Sequence, residues 1–210
     1  MQLDFDARQH ILTPGEASDV FFTLFEGWAF KYQALEDGRR QIIDFLLPGD
    51  VLGLHSPFNG VARHGVCTVT KVRVCPLSSE GFSGVVSGQA GLTRGLLQTL
   101  LIDDRRADRR LLLIGQQTAS ERVCFLLLEL RDRLRARGMA SSTECEMPLT
   151  YEQIADALGL GRSPVARSLA DLRTWGWATV QGRRAVFTDP AAMQKHCGYQ
   201  PPPDERRMLI

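Results

Sequence analysis

Short apolar runs separated by glycines occupy the first eighty residues of the chain. The runs 20–25, 28–32 and 41–46 are rich in aromatic and β-branched residues, which favour strands. Residues 66–77 add either a strand pair or one long strand. Glycines recur around these runs at intervals of 12, 11 and 11 residues, at Gly15, Gly27, Gly38 and Gly49. Short strands with turn signals at this interval predict a β-sandwich or a jelly-roll β-barrel over residues 1–90, and we expect the jelly-roll barrel.

The hydrophobic pattern becomes helical from Leu92 onward. Apolar side chains recur at intervals of three or four residues, or sums of these, at Leu96, Leu100, Ala107, Leu111 and Ile114. They predict a long helix over residues 91–117, whose apolar side is suited to pairing with a second copy of the chain or to packing on its own barrel. A second helix over residues 119–137 and a linker complete the connecting segment, residues 118–145.

Residues 149–180 predict two short helices around a glycine turn. Thr150 and, three places later, Gln153 form a capping box that starts the first helix sharply. A Gly-Leu-Gly sequence ends this helix, because glycine adopts a positive φ without steric cost. The second helix begins at Arg162 or Ser163.

The second helix of this pair carries apolar and basic residues on different sides. Its inward stripe is predicted at Val165, Leu169 and Leu172. The predicted DNA contacts are on the outward, N-terminal part of this helix and at the tip of the hairpin that follows it: Arg162, Ser163, Arg167, Arg183 and Arg184. Guanidinium groups fit both guanine edges and phosphates, so residue type does not assign an arginine to base or backbone. Residues 146–192 are thus predicted to form a winged helix-turn-helix.

The charge of the chain is informative only when it is counted locally. The formal net charge is +1, but residues 162–184 contain five arginines and a single acid, Asp171. Glu152 and Asp156 lie on the first helix of the pair instead. A positive stripe of this kind binds phosphates by releasing their counterions. Double-stranded DNA is therefore the predicted partner.

The predicted fold is α+β, with an N-terminal barrel, a long helix and a C-terminal winged helix-turn-helix. No apolar stretch is long enough to span a membrane, and Asp4 and Asp6 stand where a signal peptide would have its apolar core. We therefore expect a cytoplasmic protein without a membrane partner. Three consecutive prolines at 201–203 predict an irregular, flexible tail over residues 193–210.

The order of these parts closely resembles the CRP/FNR superfamily of bacterial transcription regulators. Residues 25–54, 119–134 and 149–172 carry the resemblance, which covers nearly the whole chain. It implies a cyclic-nucleotide-binding-like barrel and a homodimer joined through the long helix. Such a dimer binds a two-fold symmetric operator whose half-sites lie about 34 Å apart. RNA polymerase is a further partner that the resemblance implies.

The resemblance also locates a departure in the recognition helix. Family members that read a TGTGA-like half-site carry arginine, glutamate and arginine at the positions that hold Arg162, Ser163 and Arg167 here. The glutamate accepts a hydrogen bond from cytosine N4, and a serine hydroxyl is too short to span the same gap. A half-site unlike that of the cyclic-AMP receptor is therefore expected.

The ligand of the barrel is left open by the resemblance. Cyclic-nucleotide binders carry Gly-Glu and, further on, Arg-Ser, whereas this chain has Gly53 and Leu54 and only an imperfect match at Arg63. Loss of the acid that holds the ribose argues against cyclic AMP. His55 and His64 flank the same loop, either as surface residues or as part of a sensor site. The predicted effector pocket consists of Gly53, Leu54, His55 and Arg63.

No cofactor or metal is predicted. The iron–sulfur branch of the family uses four thiolates, mostly near the N-terminus. The five cysteines here begin only at Cys67 and show no C-x-x-C spacing. If one of them is redox-active, Cys145 in the linker is the most exposed candidate.

Two other classes of protein are the alternatives. A cupin-like metal enzyme would need a His-x-His sequence on a similar barrel, and the chain has none. It also lacks a nucleophile elbow and a Walker loop, so no catalytic residue is predicted and an enzyme is not expected. A sensor or adaptor that does not bind DNA would leave the basic helix and hairpin without a role.

Overall fold

The computed structural model describes residues 2–78, 80, 81, 84, 88 and 90–201 of the 210-residue chain. The chain forms two compact units, and the boundary between them falls between Arg105 and Arg106, inside a long helix. Among the described residues, none of the helices is both long and apolar enough to cross a membrane.

Strands dominate the first unit, as the sequence predicts. The strands are β1 (Leu3–Phe5), β2 (His10–Leu12), β3 (Val20–Glu26), β4 (Ala29–Ala34), β5 (Arg40–Leu46), β6 (Val51–Leu52), β7 (Gly65–Thr68) and β8 (Val72–Ser78). They form two four-stranded antiparallel sheets of order β1-β8-β3-β6 and β2-β7-β4-β5, and one helical turn, α1 (Ser56–Asn59), follows β6. The predicted jelly-roll barrel is confirmed.

Two glycine turns show why the chain reverses where it does. Gly38 has φ +85° and joins β4 to β5, in the hairpin that an Asp-Gly pair between two apolar runs predicts. Gly27 has φ +86°, and a Cβ there would lie 2.1 Å from the Lys71 carbonyl oxygen. Only glycine therefore fits at position 27, in the turn from β3 to β4. The core beneath these turns contains Leu24, Trp28, Phe30, Ile42, Phe45 and Val74, all buried.

Residues 66–77 contain two strands rather than one. β7 pairs with β2 and β4, whereas β8 pairs with β1 and β3 in the other sheet. The short strands β1, β2 and β6 and the turn α1 were not predicted, because two to four residues carry too little hydrophobic pattern. Ser78, Ser79 and Glu80 have the sequence of a helix N-cap, but the short helix that they predict falls mostly outside the described residues.

Helices form most of the second unit. The elements that follow α1 and β8 are α2 (Ala90–Gln116), α3 (Ala119–Arg135), β9 (Glu144–Glu146), α4 (Tyr151–Leu158), α5 (Arg162–Thr174), β10 (Ala178–Gln181), β11 (Arg184–Phe187) and α6 (Pro190–Cys197). The three strands form a small sheet of order β10-β11-β9. Helix α3 is the core element of this unit, because its apolar residues at helical spacing are all buried: Val123, Leu126, Leu127, Leu130 and Leu134.

The expectation of an exposed linker at Cys145 is wrong. Residues 144–146 form β9, which pairs with β11, and Cys145 is only 4% exposed. Burial raises the pKa of its thiol to about 11. Because the thiolate is the reactive form, Cys145 is a poor candidate for redox chemistry near neutral pH.

The flexible tail predicted from residue 193 is also wrong for its first part. Asp189 caps α6 by accepting a hydrogen bond from the Ala192 amide at 2.9 Å. Met193, Cys197 and Tyr199 are buried, and the Tyr199 ring lies 4.9 Å from that of Phe125. The prolines that suggested an irregular tail begin only at residue 201, beyond this anchored helix. Residues 202–210 of the predicted tail lie outside the described residues.

Candidate functional site

Helix α4, the turn after it and helix α5, residues 150–174, are called the reader below. The Thr150 hydroxyl accepts from the Gln153 amide at 3.1 Å, and the Gln153 side chain accepts from the Thr150 amide at 2.9 Å, so the capping box is confirmed. Gly159 ends α4 with φ +62°, and α5 begins at Arg162 with Gly161 as its N-cap. The glycine turn therefore sets two short helices close together at a fixed angle.

Helix α5 has a buried side and an exposed side. Val165, Leu169 and Leu172 are buried, as predicted. Arg162, Ser163 and Arg167 are exposed on the N-terminal half of the helix. The sequence thus places its predicted base-reading side chains together on one free surface, whose chemistry suits acceptor atoms of DNA.

The hairpin after α5 carries less free positive charge than its sequence suggests. Arg183 lies in the turn between β10 and β11, and its guanidinium is 3.0 Å from Glu146. Arg184 begins β11 and forms an ion pair with Glu144. Both pairs are solvent-exposed, and such pairs contribute only about 0–1 kcal/mol. Exchanging these carboxylates for DNA phosphates would therefore cost little.

A pocket in the first unit brings together the predicted effector residues. Gly53, Leu54, His55 and Arg63 all line it. Several other residues that line the pocket were not predicted, because they come from separate elements: Lys31 on β4, Ser56 on α1, and Thr99, Leu100 and Asp103 on α2. His64 also lines the pocket, and its ring centroid lies 5.6 Å from that of His55.

Two cationic side chains, Lys31 and Arg63, and one carboxylate, Asp103, line the pocket, which also contains an unsatisfied hydroxyl. Burial, Lys31 and His55 lower the pKa of His64 to about 4, and burial and Arg63 lower the pKa of His55. Ser56 is fully buried, and its Oγ has no hydrogen-bond partner among the described residues. A buried hydroxyl without a partner is costly unless a ligand or water satisfies it. These features favour a ligand with negatively charged oxygens.

Two family models match this chain, one over the strand-rich first unit and one over the helical second unit. Residues 121–196 match the family model of the Crp-like helix-turn-helix domain, and residues 2–89 match that of the cyclic nucleotide-binding domain. The transcriptional activatory protein AadR of Rhodopseudomonas palustris is 31% identical over 80% of this chain and 69% of its own length. The chain belongs to the CRP/FNR family. It is a DNA-binding transcription regulator.

Two further relatives extend the match over nearly the full length. The nitrogen fixation regulation protein FixK of Bradyrhizobium diazoefficiens is 28% identical over 92% of this chain and 80% of its own. The structure of FixK2 from Bradyrhizobium japonicum superposes with a TM-score of 0.83 and 28% identity, and the match covers 93% of this chain and 96% of that one.

The long helix of this CRP/FNR protein differs in one residue from the predicted dimer surface. Leu100, Ala107, Leu111 and Ile114 are exposed, as pairing requires, but Leu96 is only 5% exposed within its own chain. Leu96 is therefore not part of a free surface. The exposed residues at coiled-coil spacing are called the seam below: Leu97, Leu100, Asp104, Ala107, Leu111 and Ile114.

Proposed function

We propose that this regulator acts as a cytoplasmic homodimer that reads a two-fold symmetric operator with one α5 helix per half-site. The exposed N-terminal half of α5 carries this proposal, because Arg162, Ser163 and Arg167 are free while the opposite side is buried. Arg183 and Arg184 of the hairpin are proposed phosphate contacts. Contact with RNA polymerase would then link operator binding to transcription.

Ser163 makes the proposed base preference differ from that of family members with a glutamate at this position. It lies between two arginines that suit guanine, but its hydroxyl can donate or accept and so discriminates poorly among bases. We therefore propose a half-site whose base pair opposite Ser163 is weakly specified. The flanking arginines supply most of the discrimination.

The Arg167→Ala variant tests the reader directly. We expect affinity for the preferred duplex to fall by about tenfold or more, because a bidentate arginine–guanine contact contributes about 1–3 kcal/mol. Fluorescence anisotropy with a labelled duplex measures this loss. Arg173→Ala is the matched control, since Arg173 is exposed at the other end of the same helix. Equal losses in both variants, or no duplex binding by the wild type, would contradict the assignment.

The seam is the proposed dimer contact. Its apolar members are strongly exposed in the single chain, with Leu97 at 57% and Leu111 at 72%. Spacings of three and four residues bring them to one side of α2, which is the arrangement of a two-stranded coiled coil. Asp104 is the polar member of the seam. A polar residue in such a position fixes the register of pairing at some cost in stability.

The Leu111→Asp variant tests this contact. We expect a monomer where the wild type is a dimer, because a carboxylate would be buried without a partner in the interface. Sedimentation velocity at equal concentrations gives the comparison. Leu112→Asp is the matched control, because Leu112 is 60% exposed next to the seam but outside it. A dimeric Leu111→Asp protein, or loss of the dimer in both variants, would count against the seam.

We propose a small anion, rather than cyclic AMP or an iron–sulfur cluster, as the effector of the barrel pocket. Leu54 lines the pocket where nucleotide-binding relatives carry the ribose-binding acid, while Arg63, Lys31 and the Ser56 hydroxyl offer positive charge and a donor. Four of the five cysteines are buried: Cys67, Cys124, Cys145 and Cys197. Within the described part of the chain, no three metal-ligating side chains are grouped to hold an ion.

Thermal unfolding in inorganic sulfate tests the pocket. A bound dianion favours protonated imidazoles. The lowered pKa values of His55 and His64 favour their neutral forms in the free pocket, so binding takes up protons. Lys31 and Arg63 oppose this uptake at His55, and Asp103 favours it. We therefore expect the sulfate-induced rise in Tm to grow as the pH falls from about 7 to about 5.

The Arg63→Ala variant should lose this rise, whereas Arg39→Ala should keep it. Arg39 is an exposed hairpin arginine paired with Asp37, away from the pocket lining. A rise that is equal in both variants would be a general salt effect and would contradict the proposed site.

A further inference from the structure

Arg122 donates hydrogen bonds to three backbone carbonyls of the second unit at once. Its Nε donates to the Gln117 carbonyl at 2.9 Å, its Nη1 to the Leu158 carbonyl at 3.1 Å, and its Nη2 to the Ile114 carbonyl at 2.7 Å. Leu158 is the last residue of α4, and Ile114 lies in the last turn of α2. A single side chain on α3 therefore connects the end of the seam helix to the end of the first reader helix.

The three acceptors are of the kind that helix ends leave without partners. The last four carbonyls of an α-helix have no intrahelical donor, and they carry the negative end of the helix dipole. A guanidinium suits them because it is planar, permanently charged and presents five donors in a rigid fork. A lysine ammonium keeps the charge, but it has no fork that fixes three carbonyls in one plane.

The glycine turn of the reader lies beside the Ile114 side chain. A Cβ placed on Gly159 would lie 4.0 Å from Ile114 Cγ2, so the turn packs beside the seam residue whose carbonyl Arg122 holds. Ile114 thus contributes its side chain to the seam and the turn, and its carbonyl to Arg122. The position of α5 relative to this part of α2 follows from these contacts.

We infer that Arg122 is a positioning residue for operator recognition, which fixes the reader on the end of the seam helix so that the two α5 helices of a dimer keep a set separation. This inference rests on the proposed dimer. Binding two half-sites through one rigid connection gives a high effective concentration for the second contact, and a loosened connection lowers it. Arg122 therefore acts on the spacing of half-sites and not on the bases themselves.

Arg122→Gln and Arg122→Lys test the inference on the full chain. The probes are the duplex that the wild type selects, the same duplex with one base pair added between the half-sites, and an isolated half-site. For both variants we expect an unchanged dimer and half-site affinity within about threefold, but at least about tenfold weaker binding of the full duplex. Preference for the correct spacing should be lost. Arg135→Gln, an exposed position on the same helix, should retain it.

A role in folding alone would not change the preference for spacing. If Arg122→Gln fails to fold, the Lys variant still gives the comparison, because it keeps the charge and removes only the fork. Wild-type spacing preference in a folded variant would overturn the inference, as would an equal loss on half-site and full duplex. If the wild type itself is monomeric or has no preferred duplex, the proposed function fails instead.

Discussion

The ends of helices impose the constraint on which the second unit depends, because their last carbonyls must find donors outside the helix. Arg122 meets this need for α2 and α4 together, and the αL glycine at 159 then lets α5 start at once. The capping boxes at Thr118 and Thr150 satisfy the opposite, N-terminal ends of α3 and α4. The reader is therefore held by polar contacts at its ends and by the apolar contacts of α3 and α5 inside.

The exposed surface of α5 also follows from which side of the helix is buried. Once Val165, Leu169 and Leu172 are buried, the N-terminal half of α5 is left with arginines, a serine and little competing acid. The hairpin arginines are different, because Glu144 and Glu146 already neutralise them. In the proposed complex the helix supplies discrimination among bases, and the hairpin arginines exchange their carboxylate partners for DNA phosphates. Such binding weakens steeply with salt.

Features determined by neighbouring residues were predictable from the sequence. The capping box at Thr150, the glycine turn at Gly159 and the Asp37-Gly38 hairpin each involve residues within a few positions of one another. Leu96 and Leu97 show the limit of such reasoning. Both lie at helical spacing from Leu100, and only the packing around the helix decides which is buried.

Contacts between residues far apart in the sequence explain why the remaining features of the structure were not predicted. Cys145 is buried because β9 pairs with β11, some forty residues later in the chain. The pocket collects Lys31, Ser56 and Asp103 from three elements, so only two short stretches of it were visible in the sequence. The partners of Arg122 are backbone carbonyls, which leave no signature in the residue types. The sequence thus predicts the exposed basic side of α5 but not the contacts that hold it in place.

The proposed function requires two copies of this chain to read DNA together. Selection of duplexes from a randomised pool by the wild-type protein measures this most directly. We expect enrichment of two inverted half-sites about one helical turn apart, each with guanines opposite the arginines of α5. Enrichment of a single, unpaired half-site, or of no sequence at all, would contradict it.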